Sequence, residues 1–284
     1  MVHCLRVIRM LKSKTLTENE KDGVVYYTFP AFSAVPFVRH GFSTRLGGVS
    51  TGTYESMNLS FTRGDDPAAV RENFARFCRA VGVRSEDAVV SAQEHHTTLY
   101  NATAADRGRG VTKERGYTDI DGLLTDEPNV VLFTQYADCV PLFFVDPVKK
   151  VVGTSHAGWR GTAAQIGAVT VERLCSDYGC KREDILAGIA PSIGPCCFEV
   201  DAPVIATFSK LPFYDEGCYT RVSDEKVRIN LWEVNRRTLL AAGVRPAHIT
   251  VTDLCTKCHA DVFWSHRVTG PARGSLAGCI AIAE

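Results

Sequence analysis

Three short stretches place metal-binding side chains where an apolar run gives way to a polar or glycine-rich turn: His95 in "AQEHHT", Cys139 in "ADCVPL" and His156 in "TSHAGWRG". If those ends converge at one sheet edge, a thiolate and two imidazoles meet in a cleft. That set suits Zn²⁺, which accepts both sulfur and nitrogen, and three protein ligands leave a fourth position for water or substrate. An open position points to catalysis rather than to a closed structural centre. His96, adjacent to His95, could equally be the inward residue, and any single His or Cys is more often simply buried and hydrogen-bonded. Asp138 reads as a turn residue that could also orient a ligand or hold a proton.

Two cations sit in similarly small-residue loops. Arg160 falls just before a helix opening near Thr162, where unpaired backbone N–H groups and the helix dipole favour an anion. Arg45, in "HGFSTRLGGVS", lies beside a glycine pair and suits an oxyanion. The plain alternative for both is a surface or capping charge. Trp159 reads as core, or as support for a substrate ring.

Eleven cysteines at irregular spacing point to buried thiols plus a metal or reactive site, and away from a disulfide scaffold. "CTKCH" at 255–259 matches a haem-attachment pattern, but that chemistry requires export and the start "MVHCLRVIRMLKSK" has no clear cleavage site. A structural thiol pair or a small metal clip is the better reading. For the adjacent Cys196 and Cys197, loop packing is expected.

The elements that must position these residues follow from periodicity. "GVVYYTFP" and "FVRHGFST" are predicted strands, as are "AVVSAQ", "DIDGLLTD", the two halves of "VVLFTQYADCVPLFFVD", "KVVGTSH", "DILAGIA", "KVRIN", "HITVTD" and "AGCIAIA". "DDPAAVRENFARFCRAVG" is predicted helical, with an acidic start, an early proline, apolar Val70, Phe74, Phe77 and Val81 at helical spacing, and a closing glycine. "GTAAQIGAVTVERLCSDYG", "APVIATFSK" and "LWEVNRRTLLAAGV" complete the helices. Residues 1–22 are charged and aperiodic and read as a frayed lead-in. Mixed sheets covered by helices are expected, because strands and helices alternate without a strict βαβ rhythm.

Lys plus Arg equals Asp plus Glu at 32 each in 284 residues, so no net basic field recommends nucleic acid or a membrane surface. No apolar run reaches the roughly 20 residues of a membrane span. A cytoplasmic protein is expected.

"HGFSTRLGGVS", "MNLS", "QEH", "DGLLTD", "ADCVPL", "HAGWRG", "IGPCCFEV", "NLWEVNR", "LCTKC" and "FWSHR" occur in an order and wording that resemble the YfiH family, the laccase-domain or polyphenol-oxidase-like purine nucleoside phosphorylases. The likeness runs from about residue 24 to the C-terminus, leaving 1–22 as a variable lead-in and 23–284 as one catalytic domain. It implies a single-domain layered α/β/β/α (α+β) sandwich with mixed sheets. It also implies a catalytic Zn²⁺ on His95, Cys139 and His156, with copper as the alternative ion. The implied substrates are purine nucleosides (adenosine, inosine, guanosine, methylthioadenosine) and inorganic phosphate, with adenosine deamination as a second reaction. On that reading Arg45 and Arg160 hold phosphate, Asn58 and Gln93 hydrogen-bond the nucleoside, and Asp138 carries a proton. A monomer is expected. His266 departs from the family pattern, where Tyr is common. The family's fold also resembles Cys/His hydrolases of the deamidating-toxin type, and bacterial relatives are linked to peptidoglycan precursor editing. In that alternative Cys139 is a nucleophile and His156 its base.

Overall fold

A computed structural model describes residues 11–284. Alternating apolar residues and β-branched runs build two six-stranded mixed sheets. The first runs in the order β1 (Thr17–Lys21), β2 (Val24–Thr28), β3 (Val38–Ser43), β15 (Leu276–Ile282), β7 (Val131–Tyr136), β4 (Ala88–Val90). The second runs β14 (Ile249–Val251), β10 (Leu186–Ile189), β8 (Val140–Asp146), β9 (Val151–Ala157), β6 (Gly122–Thr125), β5 (Leu99–Asn101). A small third sheet joins β11 (Glu199–Val200), β13 (Val227–Ile229) and β12 (Tyr219–Arg221). The helices are α1 (Pro30–Ser33), α2 (Pro67–Val81), α3 (Trp159–Ala163), α4 (Ile166–Tyr178), α5 (Ala202–Phe208), α6 (Leu231–Ala241) and α7 (His266–Thr269).

The two large sheets pack face to face. Phe42, Leu132, Phe143, Val145, Leu276 and Ile280 fill the space between them. Gly278 in β15 lets the Phe143 ring of the opposite sheet lie against its backbone: a β-carbon there would stand 2.5 Å from Cζ. Thr134 in β7 and Thr154 in β9 share a hydrogen bond of 2.8 Å across the same gap. Helix α2 covers the outer face of the first sheet through Val70, Phe74 and Phe77, whereas α4 and α6 cover the second through Ile166, Val171, Leu174, Val234 and Leu239. The result is the expected α/β/β/α layering.

Helix α2 carries the signals that the sequence offers. Asp66 caps it, accepting from the Ala68 amide at 2.9 Å, Pro67 opens it, and Gly82 closes it in the left-handed region at φ 87°.

Elsewhere the structure corrects the expectations. The single helix predicted from 161 is two, because Gln165 adopts φ 58° and turns the chain between α3 and α4. Helix α3 therefore starts at Trp159, and Arg160 lies inside it rather than in a preceding turn.

The lead-in is not uniformly frayed. Residues 1–10 lie outside the described part, but Thr17–Lys21 pair antiparallel with β2. Leu16 is buried, and the Leu11 carbonyl accepts from Tyr27 Oη at 2.8 Å. Strand β1 has no apolar alternation, since it is an edge strand made by backbone pairing. β5, β11 and β12 escaped the sequence for the same reason, being two or three residues long and defined by their partners.

Candidate metal centre and its cavity

Strands β7 and β8 belong to different sheets, and the chain crosses from one to the other at Ala137-Asp138-Cys139. Cys139 is thus held at the seam. His156 stands opposite Pro141 in the β8–β9 ladder, which brings its ring beside Cys139. His95 arrives from the loop after β4 and takes a left-handed conformation, φ 69°. Its Nε2 lies 3.9 Å from Cys139 Sγ, and the two imidazoles meet edge to face with centroids 4.8 Å apart. One donor atom from each of the three lies within 4.8 Å of the others. Gly158 closes the ring: a β-carbon there would sit 2.8 Å from His95 Cδ2 and 3.2 Å from Cys139 Sγ.

Asp121, which the sequence reading passed over, organises this group. It is fully buried just before β6. Its carboxylate accepts from the backbone amides of Glu94 (2.9 Å), His95 (3.1 Å) and His96 (2.9 Å), which stabilises the unusual turn carrying His95. It also engages His156 Nδ1 at 2.7 Å, so that Nε2 points toward the centre. Burial pushes the Asp121 carboxyl up, yet His156 and these amides together bring it below its ordinary range. An acid inside an apolar strand segment, "DIDGLL", was the available signal.

Burial likewise opposes ionisation of Cys139, but the adjoining His156 and hydrogen bonds from both imidazoles outweigh it and favour the thiolate. His156 is pushed the opposite way: burial disfavours its cation, and the Cys139 thiolate and Asp121 restore it. Two nitrogens and one sulfur at these separations match the reach of a tetrahedral ion with bonds of about 2.0–2.3 Å. The residues fit such an ion.

Two cavities share His95, Ala137, Cys139, Arg63 and Arg273. The larger, about 450 Å³, is also lined by Asp138, Trp159, Arg160, Ile193, Phe198, Leu231, His266 and Arg267. The smaller, about 170 Å³, adds Gln93, Arg115, Gln135, Tyr136, His156 and Ser275.

The predicted site residues divide on this geometry. His95, Cys139, His156 and Arg160 come together, with the Arg160 guanidinium 4.2 Å above the Trp159 ring. His96 turns away and pairs with Asp119 at 2.7 Å. Arg45 does not line either cavity: it donates to the carbonyls of Glu55 and Ala260 and stacks 3.8 Å over Trp264, clamping two loops. Asn58 is fully buried and spent on Ser60, Asp65 and the Ser275 amide. Gln93 reaches the smaller cavity, but its amide is taken by Ser91 and by both backbone groups of Gln135.

Asp138 also lines the larger cavity. Its oxygens accept from Thr256 Oγ1 (2.6 Å), Ser265 Oγ (3.0 Å) and the Arg267 amide (2.7 Å), which fixes the left-handed turn, φ 84°, before Cys139.

Besides Arg267 of α7, the cations the sequence reading missed are Arg63, Arg115 and Arg273. Arg273 is buried, and burial together with neighbouring Arg63 lowers it to about 10 despite Asp138 and Cys139. These three each stand in a loop with no local mark to separate them from a surface charge.

A family model described as multi-copper polyphenol oxidoreductase laccase matches residues 39–283. A purine nucleoside phosphorylase, YlmD, of Bacillus subtilis is 35% identical over 86% of this chain and 88% of its own length. An adenosine deaminase, RL5, from an unknown prokaryotic organism is 34% identical over 81% of this chain and 88% of its own. The crystal structure of YlmD from Geobacillus stearothermophilus superposes with a TM-score of 0.88 at 34% identity, covering 95% of this chain and 99% of that one.

Proposed function

The chain belongs to the family described as multi-copper polyphenol oxidoreductase laccase, and from that premise we propose that it splits purine nucleosides with inorganic phosphate, around a zinc ion held by His95, Cys139 and His156. The observation that carries this reading is one juxtaposition. His95 and Cys139 line both cavities, of which one gathers Arg63, Arg115 and Arg273 and the other adds Trp159 and Phe198. Guanidiniums of which Arg115 and Arg273 are desolvated by burial favour an oxyanion, and aromatic walls favour a planar base.

Phosphate seated by Arg63, Arg115 and Arg273 attacks the anomeric carbon. The glycosidic bond breaks, its electron pair goes to the base, and the base takes up a proton. The arginines orient the nucleophile and offset its charge, while Arg160, stacked on Trp159, faces the nucleoside end. Zinc bound at the trio would supply a Lewis acid and an acidified water, the chemistry that removal of adenine's amine requires. The family description names copper oxidase chemistry, but only eight His are present in the whole chain, and a multicopper centre needs many more imidazoles than the pair gathered here.

The test is base release from inosine and adenosine with and without phosphate, beside metal content. Wild type is expected to give base and pentose 1-phosphate only when phosphate is present. Cys139→Ala should lose both that activity and one zinc per chain. Arg273→Ala should raise the KM for phosphate about tenfold or more while keeping its metal. Base release independent of phosphate, or retained in Cys139→Ala, overturns the reading.

A second reading rests on Asp121, His156 and Cys139, which also form a carboxylate–imidazole–thiol sequence suited to a cysteine amide hydrolase. Rapid alkylation of Cys139 at neutral pH in zinc-replete protein, with no base release, favours it.

A further inference from the structure

The loop after β10 carries Gly194-Pro195-Cys196-Cys197-Phe198, and the loop after β14 carries Cys255-Thr256-Lys257-Cys258. β10 and β14 are parallel neighbours, so both loops leave the same sheet edge. They stay paired beyond it: Ser192 bridges Cys255, and the Thr256 amide donates to the Ser192 carbonyl at 3.0 Å. Gly194 permits the approach, since a β-carbon there would be 2.8 Å from the Trp232 ring and 3.1 Å from Cys255 Cβ.

Four sulfurs converge as a result. Cys258 Sγ is 3.4 Å from Cys196 Sγ and 3.5 Å from Cys197 Sγ, and all four sulfurs lie within 4.8 Å of one another. Packing of an isolated adjacent pair, the expectation for Cys196 and Cys197, does not describe this arrangement. We propose that Cys196, Cys197, Cys255 and Cys258 form a second, structural zinc site that clips the two loops together. The edges of a tetrahedron with Zn–S bonds of about 2.3 Å measure about 3.8 Å, in keeping with these separations. A disulfide would join Cys258 to one neighbour at about 2 Å and leave two thiols over, whereas Cys258 stands almost equally far from Cys196 and Cys197. The Gly194 amide donates to Cys255 Sγ at 3.2 Å, the kind of backbone contact that supports a bound thiolate. Binding exchanges four S–H bonds for four Zn–S bonds and releases four protons to solvent, with no change of oxidation state.

The clip bears on the cavity. The Ile193 amide donates to the Asp138 carbonyl at 2.9 Å, Thr256 Oγ1 holds the Asp138 carboxylate, and Ile193 and Phe198 line the wall. Zinc here anchors both loops that grip the turn before Cys139.

The experiment counts zinc per chain in protein purified under reducing conditions and records the cobalt-substituted spectrum of the wild type, which needs no variant to fold. About two zinc per chain are expected in the wild type. One is expected to remain in Cys196→Ser/Cys258→Ser and one in Cys139→Ser. Because four of the five thiolate ligands belong to this site, the thiolate-to-cobalt charge-transfer band should fall about five-fold in the double variant. A single zinc in the wild type with single-thiolate cobalt intensity overturns the proposal. So does a Cys258 disulfide found by mass spectrometry, or alkylation of all four thiols at rates that zinc leaves unchanged.

Discussion

One carboxylate sets the geometry of two imidazoles. Asp121 accepts three consecutive backbone amides from the turn that presents His95 and also holds His156 Nδ1. Asp121→Asn turns one acceptor into a donor and weakens both functions, so zinc affinity at the trio is expected to drop about 10–100-fold, read by chelator competition. Unchanged affinity would show that the turn and ring are positioned by packing alone. His40 gives a separate prediction. It is buried, its Nε2 accepts from the Phe29 amide at 2.8 Å, and it stacks on the Phe29 ring, so burial lowers it to about 3. The unfolded chain takes up this proton near pH 6.5 and the folded one does not, so stability is full above about pH 6.5 and declines toward pH 3. The slope is about 1.4 kcal/mol per pH unit. Urea unfolding of wild type against His40→Gln, which retains an acceptor, should show the wild type steeper by one proton between pH 6 and pH 4.

Strands in the middle of the sandwich depend on missing side chains as much as on those present. Gly278 lies in β15, between β3 and β7, and the Phe143 ring occupies the place of its absent β-carbon. Gly188 in β10 receives the Phe29 ring in the same way, with a β-carbon 2.6 Å from Cζ. A well-packed core offers no room for either atom to shift. Gly278→Ala is expected to lower stability by about 1–3 kcal/mol in urea unfolding. A smaller loss would mean that the sheets can part locally. The break between α3 and α4 belongs to this scale too, because Gln165 in the left-handed region lets Arg160 face the cavity while α4 covers the sheet.

Across the whole molecule, the first segment of the described chain is a brace. Strand β1 extends the first sheet, Leu16 enters the core, and Ser13 Oγ and the Lys14 amide bind the Asp253 carboxylate just beyond β14 of the second sheet, at 2.5 and 2.8 Å. Removing residues 1–21 is expected to cost at least about 3 kcal/mol in urea unfolding, since a buried leucine, the β1–β2 backbone pairing and the hydrogen bonds to Asp253 and from Tyr27 are lost together. Zinc content should not change, since His95, Cys139, His156 and the four converging cysteines all lie outside that segment. Loss of zinc together with stability would show instead that the brace also orders the cavity. No helix among the described residues is long and apolar enough to cross a membrane.

The sequence by itself determined the elements whose information is local: α2, with its cap, proline and closing glycine, the long strands, and the two apolar runs interrupted at Asp138. It also put Cys139 and His156 at strand ends and left His95 and His96 as alternatives, between which the family resemblance chose His95. Only the tertiary structure decided which polar residues were already spent. Arg45, Asn58, Gln93 and Asp138 are chemically apt, yet each is occupied by backbone groups or hydroxyls from segments distant in the chain. The opposite holds for Asp121, Arg63, Arg115 and Arg273, and for the four converging cysteines, whose roles come from neighbours that sequence spacing does not encode. Hydrogen-bond capacity is finite, and which partner uses it is settled by the packing of the two sheets and the loops they support.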